Sequence, residues 1–342
     1  MRRLLTRSAV ITLDAKMRES NVLQATLSET EIRRAIGLPG DGALVVEGLA
    51  TLTAPADRCL YFVNKPMTDT IRESLAARRD CMVIVRKDAV TGDLGTCVVL
   101  EVPDPRLAIA NILRFIVDQQ RHQPWISERK IDPGSIISPL AVVADRVEIG
   151  ANAVIEPFCV IENDISIGRG AVVRSGARIH SRVVIGEESL IGVNSVIGHQ
   201  GFGFVRDEDG GKRRIPHLGG VVIGSHVEIG NLTTVPSGTI GPTIIEDGAK
   251  VDDHVHVGHN VRIARSASVT AAVIIAGSVT IDEEAWVGIN SSIRDGLRIG
   301  VRSLVGMDSS VQEDVPDNSV ARAPRPDVKT RSDDDGASIG FA

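Results

Sequence analysis

An aliphatic residue recurs at every sixth position in three runs of this 342-residue chain, Ile131–Ile197, Ile223–Val235 and Ile245–Val311, and all 27 positions of the series are Ile or Val. A six-residue unit is one short strand followed by a turn, and it cannot bury its apolar face alone. Three units make one triangular coil of 18 residues, so that each β-branched side chain packs on its counterparts in neighbouring coils. The 27 units predict nine coils of a parallel β-helix, and helices built on such hexapeptide repeats wind left-handed.

Two interruptions break the repeat. Residues 199–220 form an insertion that contains Gly201-Phe202-Gly203-Phe204 and the polar run Arg206–Arg214, and Thr239–Thr243 is a smaller slip. We expect the insertion to protrude from the prism. Loops that leave a rigid scaffold commonly carry function, and the alternative is a neutral surface insertion.

A small α/β domain is predicted over residues 21–121, after an N-terminal extension of residues 1–20. Ser28–Ile36 and Pro105–Gln119 are predicted helices, the second because its apolar residues recur at helical spacing. The predicted strands are Leu44–Thr53, Cys59–Val63, Cys81–Val85 and Thr96–Glu101. Residues 122–130 are a linker to the β-helix domain of residues 131–312, and residues 313–342 form a polar tail.

Composition excludes several classes of protein. The net charge of −6 offers no basic field for nucleic acid. Four cysteines without CxxC spacing argue against a zinc ribbon or a disulfide scaffold. No segment approaches ~20 apolar residues, and the N-terminal apolar stretch is too short for a signal peptide. We therefore expect a cytoplasmic protein, at most peripheral to the inner membrane.

His259 is the predicted general base. Prisms of this kind mostly serve acyl transfer from a thioester, which needs a base, an oxyanion donor and a slot for a pantetheine arm. Histidine is the side chain whose ordinary pKa suits proton transfer near neutrality. One coil further along the chain lies Gly277, whose backbone N–H is predicted to stack above His259 and to donate to the thioester oxygen. The alternative is that His259 merely occupies a turn.

Two further groups of side chains leave weaker signals. His254, His256 and His259 are close in sequence, but strand alternation and the following turn separate them, so that no metal site is predicted. Arg262 and Arg298 lie two coils apart in one column. They either face solvent or meet a phosphate of coenzyme A or an acidic carrier protein.

The segment from Gly198 to Ser278 resembles the UDP-3-O-acylglucosamine N-acyltransferases, which add the N-linked hydroxyacyl chain during lipid A and hence lipopolysaccharide biosynthesis. Shorter matches in the N-terminal domain, Tyr61–Asn64 and Leu107–Leu113, extend the resemblance over residues 20–325. The main matching motifs are Gly201-Phe202-Gly203-Phe204, Ile215-Pro216, Val222–Gly230, Thr233-Thr234, Thr243-Ile244-Ile245, Gly258–Val261 and Ala276-Gly277-Ser278.

The resemblance implies a homotrimer whose three active sites lie between neighbouring prisms. It implies a hydroxyacyl donor on the phosphopantetheine of acyl carrier protein, a UDP-sugar acceptor with a free 2-amino group, and no tightly bound cofactor or metal. His259 and Gly277 match the family's base and oxyanion amide. Tyr61 is expected to stack on uracil and Asn64 to contact the nucleotide. The further expected substrate-binding residues are Phe202, Phe204, Asn260 and Asp295.

The sequence departs from the family pattern at four places. Pro236-Ser237 stands where the family has Asp-Arg, Gly296 aligns with a second active-site histidine, and Met67 replaces a second stacking tyrosine. The short tail also lacks the family's C-terminal helical extension. Two alternatives therefore stay open: a short-chain or acetyl transferase for nucleotide amino sugars that uses acyl-coenzyme A, for example in surface polysaccharide synthesis, and a non-catalytic trimeric scaffold that binds sugar nucleotides.

Overall fold

The computed structural model describes residues 22–324 except 88, 90, 91 and 208. The predicted N-terminal extension, residues 1–20, and the tail from residue 325 onward lie outside the described residues. The described residues form an N-terminal α/β unit, a long parallel β-solenoid and the loops that join them.

The α/β unit has one five-stranded sheet in the order β1-β2-β3-β4-β5, in which β1 and β2 are antiparallel and the other pairs are parallel. Its strands are β1 Val22–Ser28, β2 Val45–Ala50, β3 Cys59–Val63, β4 Met82–Arg86 and β5 Val98–Val102. Its helices are α1 Glu29–Ala35, α2 Asp69–Ala76 and α3 Pro105–Asp118. The sequence pattern did not predict β1 and α2.

Local sequence explains where α1 and α3 begin. The Ser28 side chain accepts a hydrogen bond from the Glu31 N–H while the Glu31 carboxylate accepts one from the Ser28 N–H, which is a capping box. Asp104 caps α3 by accepting from two backbone N–H groups, and Pro105 stands at its first position. The apolar side of α3 packs on the sheet, with Ile112 and Leu113 fully buried.

The solenoid consists of three parallel sheets of ten, nine and nine strands, numbered on from β6 in chain order. The first face comprises β7 Ile136–Ile137, β10 Val154–Ile155, β13 Val172–Val173, β16 Leu190–Ile191, β21 Glu228–Ile229, β24 Lys250–Val251, β27 Ser268–Val269, β30 Trp286–Val287, β33 Leu304–Val305 and β35 Val320–Ala321. The second comprises β8 Val142–Val143, β11 Val160–Ile161, β14 Arg178–Ile179, β17 Val196–Ile197, β22 Thr234–Val235, β25 His256–Val257, β28 Ile274–Ile275, β31 Ser292–Ile293 and β34 Ser310–Val311. The third comprises β6 Lys130–Ile131, β9 Val147–Ile149, β12 Ile165–Ile167, β15 Val183–Ile185, β20 Val221–Ile223, β23 Thr243–Ile245, β26 Arg262–Ile263, β29 Thr280–Ile281 and β32 Arg298–Ile299.

The repeated Ile and Val residues point inward and stack in register. Ile155 pairs with Ile137 in one neighbouring coil and with Val173 in the other, and all three belong to the six-residue series. The series forms one continuous apolar core, most of whose members are buried. Because each layer repeats the last, the solenoid holds any outward side chain at a fixed height.

The coil count differs from the predicted nine. The first face has a tenth strand, Val320–Ala321, which pairs with β33, so the chain after residue 312 continues the solenoid before the described residues end. Lys130 belongs to β6 and pairs with Glu148, which shortens the predicted linker by one residue. Among the described residues, no helix is long and apolar enough to cross a membrane.

Both interruptions of the repeat pack against the α/β unit. The insertion folds as an antiparallel hairpin of β18 Phe204–Arg206 and β19 Lys212–Arg214. Val205 and Ile215 of the insertion, together with Ile240 of the slip, are buried in the apolar cluster around α3. The Arg213 guanidinium also donates to the Asn111 amide oxygen on α3, at 3.1 Å. The insertion leaves the prism, but the α/β unit covers its apolar side.

Candidate active site

His259 and Gly277 lie in contact at the corner between the second and third faces. His259 is the second residue after β25, and Gly277 is the second residue after β28, one coil further on. A Cβ atom placed on Gly277 would be 2.6 Å from Cε1 of the His259 ring and 3.0 Å from each ring nitrogen. The Ser278 N–H donates to the His259 carbonyl at 2.8 Å, which fixes the two coils relative to each other. The imidazole therefore lies directly against a residue that has no side chain.

The polar atoms of this pair are free to meet a ligand. Within the described part of the chain, neither the ring nitrogens of His259 nor the Gly277 N–H form a hydrogen bond. Burial is the main reason why the pKa of His259 lies below its ordinary value, and Arg106 and His256 lower it further. A histidine in this state is neutral near pH 7 and can accept a proton.

Arg106 joins the site from the other unit of the protein. It is the second residue of α3, and its charge acts on His259 although the sequence numbers differ widely. The α/β unit therefore contributes to the electrostatics of the solenoid corner. The sequence pattern did not single out Arg106, because no repeat or motif relates α3 to a solenoid turn.

His217 also belongs to the site and was missed from the sequence. Its side chain is almost completely buried, and the centroids of the His217 and His259 rings lie 4.8 Å apart with an interplanar angle of 83°. Burial is the main cause that lowers the pKa of His217 to about 4, and the nearby His259 adds to it. His217 lies in the insertion, outside the six-residue series, so no register argument could place it. The one signal in the sequence was Gly201 and Gly203, which lie against the His217 ring in the structure.

Those glycines, Gly201 and Gly203, allow the insertion to approach closely. A Cβ atom on Gly201 would be 2.6 Å from His217 Nε2 and 3.0 Å from His259 Cβ. A Cβ atom on Gly203 would be 2.9 Å from His217 Cε1. Side chains at either position would collide with the histidine pair, which explains the Gly-Phe-Gly-Phe pattern in structural terms.

The two phenylalanines of that motif differ in exposure. Phe202 is 83% exposed, and Phe204 is half-buried with its ring centroid 5.0 Å from that of Phe202. The Arg214 guanidinium lies 4.6 Å from the Phe204 ring centroid and donates to the Gly201 carbonyl at 2.9 Å. Phe202 thus presents an apolar ring to solvent from the insertion that contacts His259.

Asn260 fastens the slip in the repeat through its side-chain amide. Its side-chain oxygen accepts from the Thr239 N–H at 2.7 Å, and its side-chain nitrogen donates to the Thr239 hydroxyl at 3.1 Å. Its φ of 58° lies in the left-handed region, which asparagine tolerates better than most residues. These hydrogen bonds give the Asn260 side chain a structural role, and its contact with substrate stays a prediction.

The ring of Tyr61 faces inward. It is fully buried in the α/β unit, and its hydroxyl is hydrogen-bonded to the backbone of Ala56. Burial raises its pKa. The ring faces the apolar core of the α/β unit, and its stacking on uracil stays a prediction.

The remaining expected residues lie on the surface. Asn64 is exposed just after β3, and Asp295 is exposed one coil beyond Gly277 in the same column. No described atom lies within 4 Å of where a Cβ on Gly296 would be, so that corner is open above the histidine pair. His256 lies on the second face beside His259, with its Nδ1 atom 2.9 Å from the Thr234 hydroxyl. In the described residues, no group of three or more metal-ligating side chains could hold a metal ion.

Comparison with known proteins gives consistent relatives. A UDP-3-O-acylglucosamine N-acyltransferase of Coxiella burnetii is 33% identical over 273 residues, which cover 74% of this chain and 75% of that protein. One of Bordetella pertussis is 42% identical over 117 residues, so the matched part spans only 33% of this chain and 32% of that relative. A solved structure of Francisella novicida UDP-N-acetylglucosamine acyltransferase aligns with a TM-score of 0.50 at 28% identity, over 55% of this chain and 67% of that one. No protein-family model matches the sequence.

Proposed function

This chain belongs to the UDP-3-O-acylglucosamine N-acyltransferase family, and on that premise we propose that it transfers a 3-hydroxyacyl chain from a thioester to the 2-amino group of a UDP-3-O-acylglucosamine in lipid A biosynthesis. The observation that carries the proposal is the contact between the unpartnered imidazole of His259 and the backbone of Gly277. A neutral base beside an amide without a side chain suits acyl transfer to an amine.

In the proposed reaction, the amine nitrogen of the acceptor attacks the thioester carbonyl while His259 takes the proton that nitrogen loses. The Gly277 N–H donates to the oxygen that becomes negative. The intermediate then collapses, the C–S bond breaks, and the imidazolium returns the proton to the departing thiolate. General-base help of this kind supplies about 10²–10⁴-fold in rate. One oxyanion donor contributes about 3 kcal/mol.

We propose that the thioester is carried on the phosphopantetheine of acyl carrier protein. We propose further that the enzyme is cytoplasmic, that its β-helix is left-handed, and that it is a trimer. Partly exposed apolar residues on the solenoid support an interface between copies: Ile274, Trp286 and Ile289 are each almost half exposed. Ile274 lies on the second face and Trp286 on the first, and exposed apolar side chains are one mark of protein contacts. Ile274 pairs with His256 in the neighbouring strand, so an interface there would border the candidate site.

The acceptor is proposed to lie across the insertion and the open corner above Gly277. Phe202 offers exposed apolar surface to an acyl chain, and Asp295 offers a carboxylate to a sugar hydroxyl. Asn64, exposed at the end of β3, is proposed to contact the nucleotide.

Ser237 stands where the family has its Asp-Arg segment. It is buried, and its hydroxyl donates to the Gly198 carbonyl at 2.8 Å, so it has a structural use here.

A donor comparison tests this proposal. Purified protein is incubated with UDP-3-O-acylglucosamine and, in separate reactions, with hydroxyacyl-acyl carrier protein or acetyl-coenzyme A, and the products are weighed by mass spectrometry. We expect a mass gain of one hydroxyacyl chain with the carrier protein. Acetylation of a plain UDP-amino sugar, with no product from the carrier protein, would instead assign a different acyl transfer to the same fold.

A further inference from the structure

The imidazole of His217 is a buried polar group for which the proposed reaction has no use. Its side chain is only 3% exposed, and it comes from the insertion rather than from the repeating coils. Burying a polar ring is costly unless its hydrogen bonds are satisfied. The surroundings of this ring therefore need an explanation.

The insertion holds His217 rigidly. The backbone N–H of His217 donates to the Gln200 side-chain oxygen at 2.9 Å, and the Gln200 side-chain nitrogen donates to the backbone carbonyl of His217 at 3.0 Å. The ring is fixed as well, because Nδ1 lies 2.9 Å from the Ile215 carbonyl. A carbonyl can only accept, so Nδ1 carries the proton and Nε2 keeps its lone pair.

His217 holds this position against His259. The two rings meet at a centroid distance of 4.8 Å and an angle of 83°, the edge-to-face arrangement that aromatic rings favour. Gly201 lies against both residues, and Gly277 covers the His259 ring from the next coil. Since no hydrogen bond within the described residues orients the His259 ring, packing against these neighbours must do so.

We infer, on the basis of the proposed function, that His217 is a positioning residue, whose fixed ring holds the imidazole of His259 over Gly277 in the orientation needed to take a proton from the acceptor amine. It does so by shape, because its protonated nitrogen is already bound to the Ile215 carbonyl. Burial, His259, Arg214 and His199 all lower the pKa of His217, to about 4. The ring is therefore uncharged at neutral pH and adds no positive charge beside His259. An error of about 1 Å in such an arrangement can cost 10²-fold in rate.

Two substitutions separate the ring from its nitrogen. His217→Phe keeps a flat ring beside His259, and His217→Gln keeps a hydrogen-bond donor but loses the ring. We expect H217F to retain kcat within a few-fold and H217Q to lose about 10²-fold in kcat with an unchanged KM for the acceptor. His226→Gln, which alters an exposed histidine paired with Glu188, is the matched control and is expected to behave as wild type.

Equal losses in H217F and H217Q, with both proteins folded, would overturn the inference, because a flat ring would then not be enough to position His259. Full activity in H217Q would also overturn it. NMR titration of the His259 Cε1–H is a second readout that needs no substrate. It also tests the inference if H217F fails to fold. We expect H217Q to raise the pKa of His259 toward its ordinary value as water enters, and an unchanged pKa would contradict the inference. If wild type makes no product with any donor, the proposed function fails, and this titration still decides the role of His217.

Discussion

Substituting Gly277 by alanine adds one methyl group where the structure leaves no room for it. The new Cβ would lie 2.6 Å from Cε1 of His259, whereas ordinary contact begins at 3.4 Å, so the ring must move by about 0.8 Å. The backbone of Gly277 does not lie in the left-handed region, so alanine adds no backbone strain. The substitution therefore acts on the imidazole far more than on the fold.

We expect Gly277→Ala to lower kcat about 10²-fold, close to 2.7 kcal/mol in the barrier, because a 1 Å misplacement of a reacting group has that cost. The assay is steady-state formation of the N-acylated product, with thermal unfolding measured in parallel. Gly306→Ala is the matched control, since its Cβ would meet only ordinary contacts, the nearest at 3.4 Å. Wild-type kcat in G277A would refute the assignment of His259 as the base at this position.

Three further predictions concern protonation and folding. NMR titration of wild type should give His259 a pKa below 6.5, because burial, Arg106 and His256 all disfavour its charged form; a value above 6.5 would contradict the described site. Between pH 6.5 and about 4, His217 is neutral in the folded protein and protonated in the unfolded chain. The free energy of unfolding should therefore fall as the pH falls through this range. Denaturant unfolding should show up to about 3 kcal/mol of this loss, absent from His217→Gln. Asn260→Gly should cost about 1–3 kcal/mol for the lost hydrogen bonds to Thr239, and Asn260→Ala about 1 kcal/mol more for left-handed backbone; equal stabilities for both variants and wild type would show that Asn260 does not fasten the slip.

The solenoid could be predicted because its information is local and repeated. One Ile or Val at each sixth position fixes which residues point inward, and an 18-residue coil then gives the neighbours of each one. The contact between His259 and Gly277 followed from this register alone. The tenth strand at Val320–Ala321 escaped because its inward residue, Ala321, comes ten positions after Val311 and breaks the six-residue repeat.

The rest of the site could not be predicted because it depends on contacts between distant segments. His217 and Arg106 reach His259 through the packing of the insertion on α3, and no period in the sequence relates these elements. The direction of the Tyr61 side chain is a related case, because a residue in a strand faces either the surface or the core, and a motif match does not say which. For Asn260, the sequence also did not show that its side-chain amide holds the slip in the repeat.

The most direct test of the proposed chemistry is whether an amide bond forms and whether His259 is needed for it. Wild type and His259→Ala are each given UDP-3-O-acylglucosamine and hydroxyacyl-acyl carrier protein, and tandem mass spectrometry locates the new acyl group. We predict acylation of the 2-amino nitrogen by wild type and a loss of about 10²–10⁴-fold in the variant. Equal rates of amide formation by both folded proteins would contradict the role of His259 as the base.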